Sequence, residues 1–194
     1  DPLTDGGFVV LNGIRMDEES GLIFSPAHFT WMDTNYPAGS PREGYPVEIQ
    51  ALWHASLSIL AEADPAGGPW KELAGRSGAS LQKWFARRDG RGLCDCLHCS
   101  SFKPAREAQP DDAVRPNQLL AITLGGISDP ALRRAILLAC EELMVPGAIR
   151  TLADRHVDVP QPIYHQGQLL NDPHFPYWGQ YAGDEDTRRK PAYH

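Results

Sequence analysis

Apolar positions along the chain fall at helical spacing in some stretches and without period in others. The clearest helical pattern spans residues 46–62. There Ile49, Leu52, Trp53 and Leu60 recur on one face, and Val47, Ala51, Ala55 and Ile59 cover much of the rest. Pro46 suits a first-turn position, where its missing N–H is not needed. A helix apolar most of the way round is expected to be buried on both sides, which suits an inner helix of a two-layered helical barrel. Asp64-Pro65-Ala66-Gly67-Gly68-Pro69 breaks the pattern. A second helix is expected over part of 70–88, with Leu81, Trp84 and Phe85 inward. Further helices are expected at 117–124, 130–144 and 147–155. The middle one has the best ends: Asp129 as N-cap, Pro130 at the first position, then a stripe of Leu132, Ile136, Ala139 and Leu143.

The remaining stretches lack a helical period. Residues 1–45 read as irregular, with Phe8-Val9-Val10-Leu11 and Gly21-Leu22-Ile23-Phe24 as short strands around a turn at 17–21. Residues 89–115 hold few periodic apolar positions and read as a long loop. A second long loop follows from 156, where Pro, Gly, Asn, Asp and Tyr dominate. There is no internal repeat and no low-complexity tract. Periodicity alone therefore predicts a mostly helical chain, and 194 residues suit one domain.

Composition narrows the partners. A net charge of -7 argues against a nucleic-acid partner, whose phosphates need clustered Lys and Arg. It fits a neutral polyhydroxyl ligand. No run of about 18 apolar residues exists, so no membrane span is expected. Cys94, Cys96 and Cys99 lie too close together for good disulfide geometry, which favours a reducing, cytoplasmic setting. With His98 they also form the main candidate for a metal site. The spacing lacks a second Cys-x-x-Cys pair, so small buried core residues are the simpler reading, with no metal and no cofactor.

The candidate chemistry lies in Thr30-Trp31-Met32-Asp33 and in Pro41-Arg42-Glu43-Gly44, followed by Val47-Glu48-Ile49. A loop delivers an acid beside an indole, and a second acid opens an apolar helix. Carboxyls protonate a glycosidic oxygen and aromatic faces hold a sugar ring. Asp33 is the candidate proton donor, with a nearby indole to desolvate it; the alternative is an Asp that caps its own turn. Trp31 is the stacking platform, whereas Trp53 lies on a helical stripe and reads as core. Glu48 either binds sugar hydroxyls or orients Asp33, unless the helix dipole alone places it there. An unpaired acid on an apolar helix would be costly, so Arg42 is expected to pair with it or to reach a sugar hydroxyl. Asn117 and Gln118 offer donor and acceptor together, which fits vicinal hydroxyls; Asn117 near a helix cap is the alternative. Arg150 is expected to pair with a carboxylate. Tyr177-Trp178 is read either as a contact for a longer glucan or as a loop anchor.

These motifs, with Arg115-Pro116-Asn117-Gln118, Gly147-Ala148-Ile149-Arg150-Thr151-Leu152 and Lys190-Pro191-Ala192-Tyr193-His194, occur in the order seen in the C-terminal glucosidase domain of glycogen debranching enzymes. The chain closely resembles that family over most of its length. The resemblance implies an all-α fold, part of an (α/α)6 toroid with long loops and a short N-terminal hairpin. It implies an inverting hydrolase acting on alpha-1,6-linked glucose in glycogen, limit dextrin or malto-oligosaccharides, without a cofactor. Asp33 would be its general acid, and Tyr193 and His194 would line the sugar site. The family's base is expected beyond His194, and the chain is expected to be a segment missing a stretch at each end. Such a segment is expected to be inactive alone. Asp184, Glu185 and Asp186 read as a solvated loop. Another toroidal glucosidase, acting on trehalose or alpha-1,4 ends, and a non-catalytic glucan-binding protein are the alternatives.

Overall fold

The computed structural model describes residues 13–33, 40–177 and 179. Its first unit is a hairpin of β1 (Arg15–Asp17) and β2 (Leu22–Phe24), with Arg15 opposite Phe24 and Asp17 opposite Leu22. Asp17 builds the turn, because its carboxylate accepts from the Ser20 hydroxyl at 2.5 Å and the Glu19 N–H at 3.3 Å. The expected turn and second strand are therefore present. Their partner is Arg15–Asp17, while Phe8-Val9-Val10-Leu11 lies outside the described residues.

Strand β3 (Gly44–Pro46) runs directly into α1 (Val47–Ala63). Gly44 is required here: its φ is +132°, and a Cβ would stand 2.1 Å from the Leu97 carbonyl oxygen. Helix α2 (Trp70–Phe85) folds back on α1, and the two share a cluster of Trp53, Leu57, Trp70, Leu73 and Ala74. Strand β4 (Cys96–His98) pairs antiparallel with β3, and β5 (Gln109–Pro110) adds to its other side. A 3-10 turn (Pro116–Gln118) leads into α3 (Leu119–Thr123), then α4 (Pro130–Glu141). Asp129 caps α4 by accepting from the Ala131 N–H at 2.8 Å, as its sequence predicts. Two small hairpins follow, β6 (Met144–Val145) with β7 (Ala148–Ile149) and β8 (Tyr164–His165) with β9 (Gln168–Leu169).

The main core joins α1, α2, α4 and the three-stranded sheet through Val47, Ala51, Leu81, Phe85, Leu93, Leu97 and Ile136. Each large apolar side chain buried in full contributes about 1.5–3 kcal/mol.

The all-α expectation is overturned. Among the described residues the four helices are joined by four small antiparallel sheets. The strands are two or three residues long, too short for alternation to register, and apart from β2 they do not read as strands. The helix expected at 147–155 is absent: its first residues belong to the β6–β7 hairpin and residues 150–155 are irregular. Pro146-Gly147 is a turn pair, and Gly147 has a φ of +77°. The expected loop at 89–115 contains β4 and β5, and the cysteines expected in it lie in the core.

Candidate functional site

The loop Thr30-Trp31-Met32-Asp33 is held at three successive residues. The Thr30 hydroxyl accepts from the Met32 N–H at 3.1 Å and from Arg42 Nη1 at 3.3 Å. The Trp31 indole N–H donates to Asn117 Oδ1 at 3.0 Å. Met32 is fully buried, with its sulfur 3.9 Å from Asn117 Nδ2. Trp31 remains 49% exposed and Asp33 is exposed. Desolvation of Asp33 by the indole is therefore not seen in the described chain. The loop presents one carboxyl and one aromatic ring to solvent from a fixed base.

That base is a buried ionic network. Arg42 grips Glu48 with two parallel bonds, Nη1–Oε1 and Nη2–Oε2, each 2.5 Å. This is the fork geometry that favours arginine over lysine. Its Nε lies 2.6 Å from Asp95 Oδ2, and Arg115 Nε approaches the same oxygen at 3.4 Å. These two contacts lack hydrogen-bond alignment and act as ion pairs. Arg115 also donates to the Ser40 hydroxyl at 2.9 Å and the Thr151 carbonyl at 3.2 Å. Asn117 Nδ2 donates to Asp95 Oδ1 at 2.8 Å. The Asp95 N–H donates to Asp111 Oδ1 at 2.8 Å, and Asp111 Oδ2 lies 3.0 Å from His98 Nε2.

Local structure explains why these residues meet. Asp95 directly precedes β4, and Glu48 opens α1 directly after β3, so the β3–β4 pairing sets them side by side. The Asp95 carbonyl also accepts from the Val47 N–H at 2.9 Å, filling the place of a missing side-chain cap on α1. Arg42 is reached by a backbone with φ of +47°, a conformation that residues other than Gly rarely adopt. The Cys96 thiol donates to the Arg42 carbonyl at 3.7 Å and supports that bend.

Burial acts on the charges of Asp95, Arg115, Arg42 and Asp111. It pushes the Asp95 carboxyl above its ordinary pKa, against the pull of Arg42 and Arg115. It lowers that of Arg115 despite Asp95. For Arg42 burial acts downward, but Asp95 and Glu48 outweigh it and hold the guanidinium firmly charged. For Asp111 burial acts upward, but the His98 bond and the neighbouring cations outweigh it, so its carboxyl lies below the usual range.

The structure thus brings together Trp31, Arg42, Glu48 and Asn117 and sets Asp33 at their edge. Gln118 is buried and serves the backbone instead. Its amide accepts from the Leu93 N–H at 2.9 Å and donates to the Arg115 carbonyl at 3.1 Å. Glu48 is one of the two partners expected for Arg42, the other being a sugar hydroxyl. Tyr193, His194, Trp178 and Asp184-Glu185-Asp186 lie outside the described residues. Arg150 stands over the Tyr177 ring at 5.5 Å, and among the described residues no carboxylate pairs with it. Burial raises the pKa of all four cysteine thiols, that of Cys140 to about 11. Among the described residues no three His, Cys, Asp or Glu side chains are placed to hold a metal. No helix among them is long and apolar enough to cross a membrane.

Asp95 and Asp111 are the members that sequence reasoning leaves out of the site. Asp95 sits inside the apolar run Leu93-Cys94-Asp95-Cys96-Leu97. The argument that an acid among apolar neighbours needs a cation, used for Glu48, holds equally for Asp95. Its cysteine neighbours point toward metal chemistry instead and mask that signal.

Chemically, Glu48, Asp95 and Asp111 are buried and paired, so they hold the loop, while Asp33 and Trp31 face outward. In the comparison with known families, the profile described as Amylo-alpha-1,6-glucosidase matches residues 7–194. No curated protein and no solved structure matches the chain.

Proposed function

The chain belongs to the amylo-alpha-1,6-glucosidase family, and from that premise we propose that it carries the acid side of a debranching glucosidase site. The family makes it a glucosidase domain of glycoside-hydrolase kind, with a carbohydrate substrate. The finer reading is removal of single alpha-1,6-linked glucose units from branch points of glycogen or limit dextrin, with inversion and without a cofactor. Asp33 donates the proton to the glycosidic oxygen, and Trp31 stacks against a glucose ring. Arg42, Glu48 and Asn117 keep that loop in place.

One observation carries this reading. A loop anchored at Thr30, Trp31 and Met32 leaves Asp33 as its exposed acid, beside a half-exposed indole. An inverting reaction needs a second carboxylate about 6.5–9.5 Å away across the scissile bond. None of Glu48, Asp95 and Asp111 fits that part, because each is buried against its partners.

The test is glucose release from a branched limit dextrin by the full-length protein and by its Asp33→Asn variant. The expected result is release by the parent and a loss of at least about a hundredfold in kcat for the variant, as for an essential proton donor. Equal activity would move the proton donor elsewhere. Glucan binding without hydrolysis by the parent would replace the enzyme reading with a glucan-binding one.

A further inference from the structure

We propose that Asp95 is a positioning residue that sets the Trp31 indole through the Asn117 amide. The inference rests on the glucosidase reading for its consequence, but not for its geometry. An amide side chain has two nearly isosteric ends, a donor and an acceptor, and only its neighbours decide which way it points. Held between the Arg42 and Arg115 guanidiniums, the Asp95 carboxylate presents acceptors to its neighbours. Its Oδ1 takes the Asn117 Nδ2 proton at 2.8 Å, which forces Asn117 Oδ1 toward the loop, where it receives the Trp31 N–H at 3.0 Å. The Asn117 Nδ2 group also faces the Met32 sulfur at 3.9 Å, so a reversed amide would lose contacts on both sides.

Asp95 itself is fixed by Arg42 and Arg115 on Oδ2, and its N–H by Asp111. It is buried, whereas Trp31 is 49% exposed. The orientation of a solvent-facing ring is thus set two residues deep by an acid that a substrate never meets. The relay has a specific point of failure. An asparagine at 95 presents a donor as well as an acceptor, so the Asn117 amide loses its enforced direction and the indole its acceptor.

The experiment uses the full-length protein labelled with 5-fluorotryptophan. The Trp31 resonance is identified by its disappearance in Trp31→Phe. Asp95→Asn is expected to shift or broaden that resonance. With limit dextrin as substrate it is expected to raise KM about three- to tenfold, within the range of one weakened aromatic contact. Trp31→Phe keeps a ring but lacks the N–H. In that background Asp95→Asn is expected to leave KM unchanged, while lowering Tm as much as in the parent. A merely structural Asp95 would change KM by the same factor in both backgrounds, and that result overturns the proposal. An unmoved Trp31 resonance overturns it as well, whatever the activity. If Asp95→Asn does not fold, Asn117→Ala breaks the same relay without touching a charge, and the same two outcomes decide. Failure of the wild type to bind or cleave glucan would sink the glucosidase reading alone, because the resonance reports on the relay without substrate.

Discussion

At the start of α1 a glutamate and a glutamine are buried, whereas further along the same helix Leu52, Ile59 and Leu60 face solvent, Ile59 at 65% exposure. Hydropathy ranks these residues the other way round. The buried polar pair is tolerated because each side chain has partners. Glu48 is held by Arg42. The Gln50 amide accepts from the Ile23 N–H at 2.7 Å and donates to the carbonyls of Ile23 and Pro46 at 2.8 and 3.1 Å. The apolar stripe is exposed because no described residue covers it. Burial along this helix follows what each face has to pack against, and hydropathy alone does not predict it.

The sharpest way to break the polar half is to remove one charge from it. Arg42→Met leaves Glu48 and Asp95 buried without their main cation, and is expected to cost about 3–5 kcal/mol, a large fraction of the stability of an ordinary domain. Urea denaturation measures it. The companion is Arg42→Met with Glu48→Leu, which replaces the ion pair by apolar volume and is expected to recover part of the loss. If the double variant is no better than the single one, the Glu48 charge was not the source of the penalty.

Next in size is the Asp111–His98 contact at the far end of the network. Asp111→Asn is expected to cost about 1.5–3 kcal/mol at neutral pH, as for a hydrogen bond to a charged group. The sign of its pH dependence follows from the depressed pKa of Asp111 in the folded state. Its stabilisation is fully present above the unfolded carboxyl value of about 3.9 and is lost as pH falls through the folded value. The gap between parent and variant should therefore narrow below about pH 4. Asp95, with its pKa raised by burial, works in the opposite sense, since its ionisation opposes folding. A gap that widens on acidification would mean that Asp111 does not hold its proton off in the fold.

Gln50→Leu tests the uncharged part of the same polar end. It keeps the volume but leaves the Ile23 N–H without its Gln50 acceptor, at an expected cost of about 1–3 kcal/mol. A loss below about half a kcal/mol, the range of an ordinary surface change, would show that water replaces the amide there.

What is legible in the sequence follows the same division. The helices α1, α2 and α4, the Asp129 cap and the Arg42–Glu48 pair can be read because each rests on local spacing or on one nearby partner. The Thr30–Asp33, Arg42–Glu48, Arg115–Gln118 and Gly147–Leu152 stretches stand out one by one. Their meeting point cannot be read, because it depends on β3–β4 pairing between segments some fifty residues apart. Asp95 stays hidden for that reason, and the short strands for another, since two or three residues show no period. The apolar circumference of α1 reads as two buried faces, and only one of them has a cover in the described chain.

That uncovered face gives the smallest effect and the cleanest contrast. Ile59→Lys puts a charge where Arg42→Met removes one, at opposite ends of the same polar-to-apolar gradient. In the 194-residue chain it is expected to change stability by no more than about 0.5 kcal/mol, because an exposed side chain has no packing to lose. Leu52, Ile59 and Leu60 lie along one exposed stripe, and apolar patches of this kind promote association. The variant should therefore self-associate less than the parent in sedimentation velocity at matched concentrations. In a full-length protein where further chain packs on α1, the same substitution would cost several times more, as burying an unpaired charge does. Equal, negligible effects in both would show that the stripe faces water in the complete molecule too. The difference between the two ends of α1 would then lie in the polar network alone.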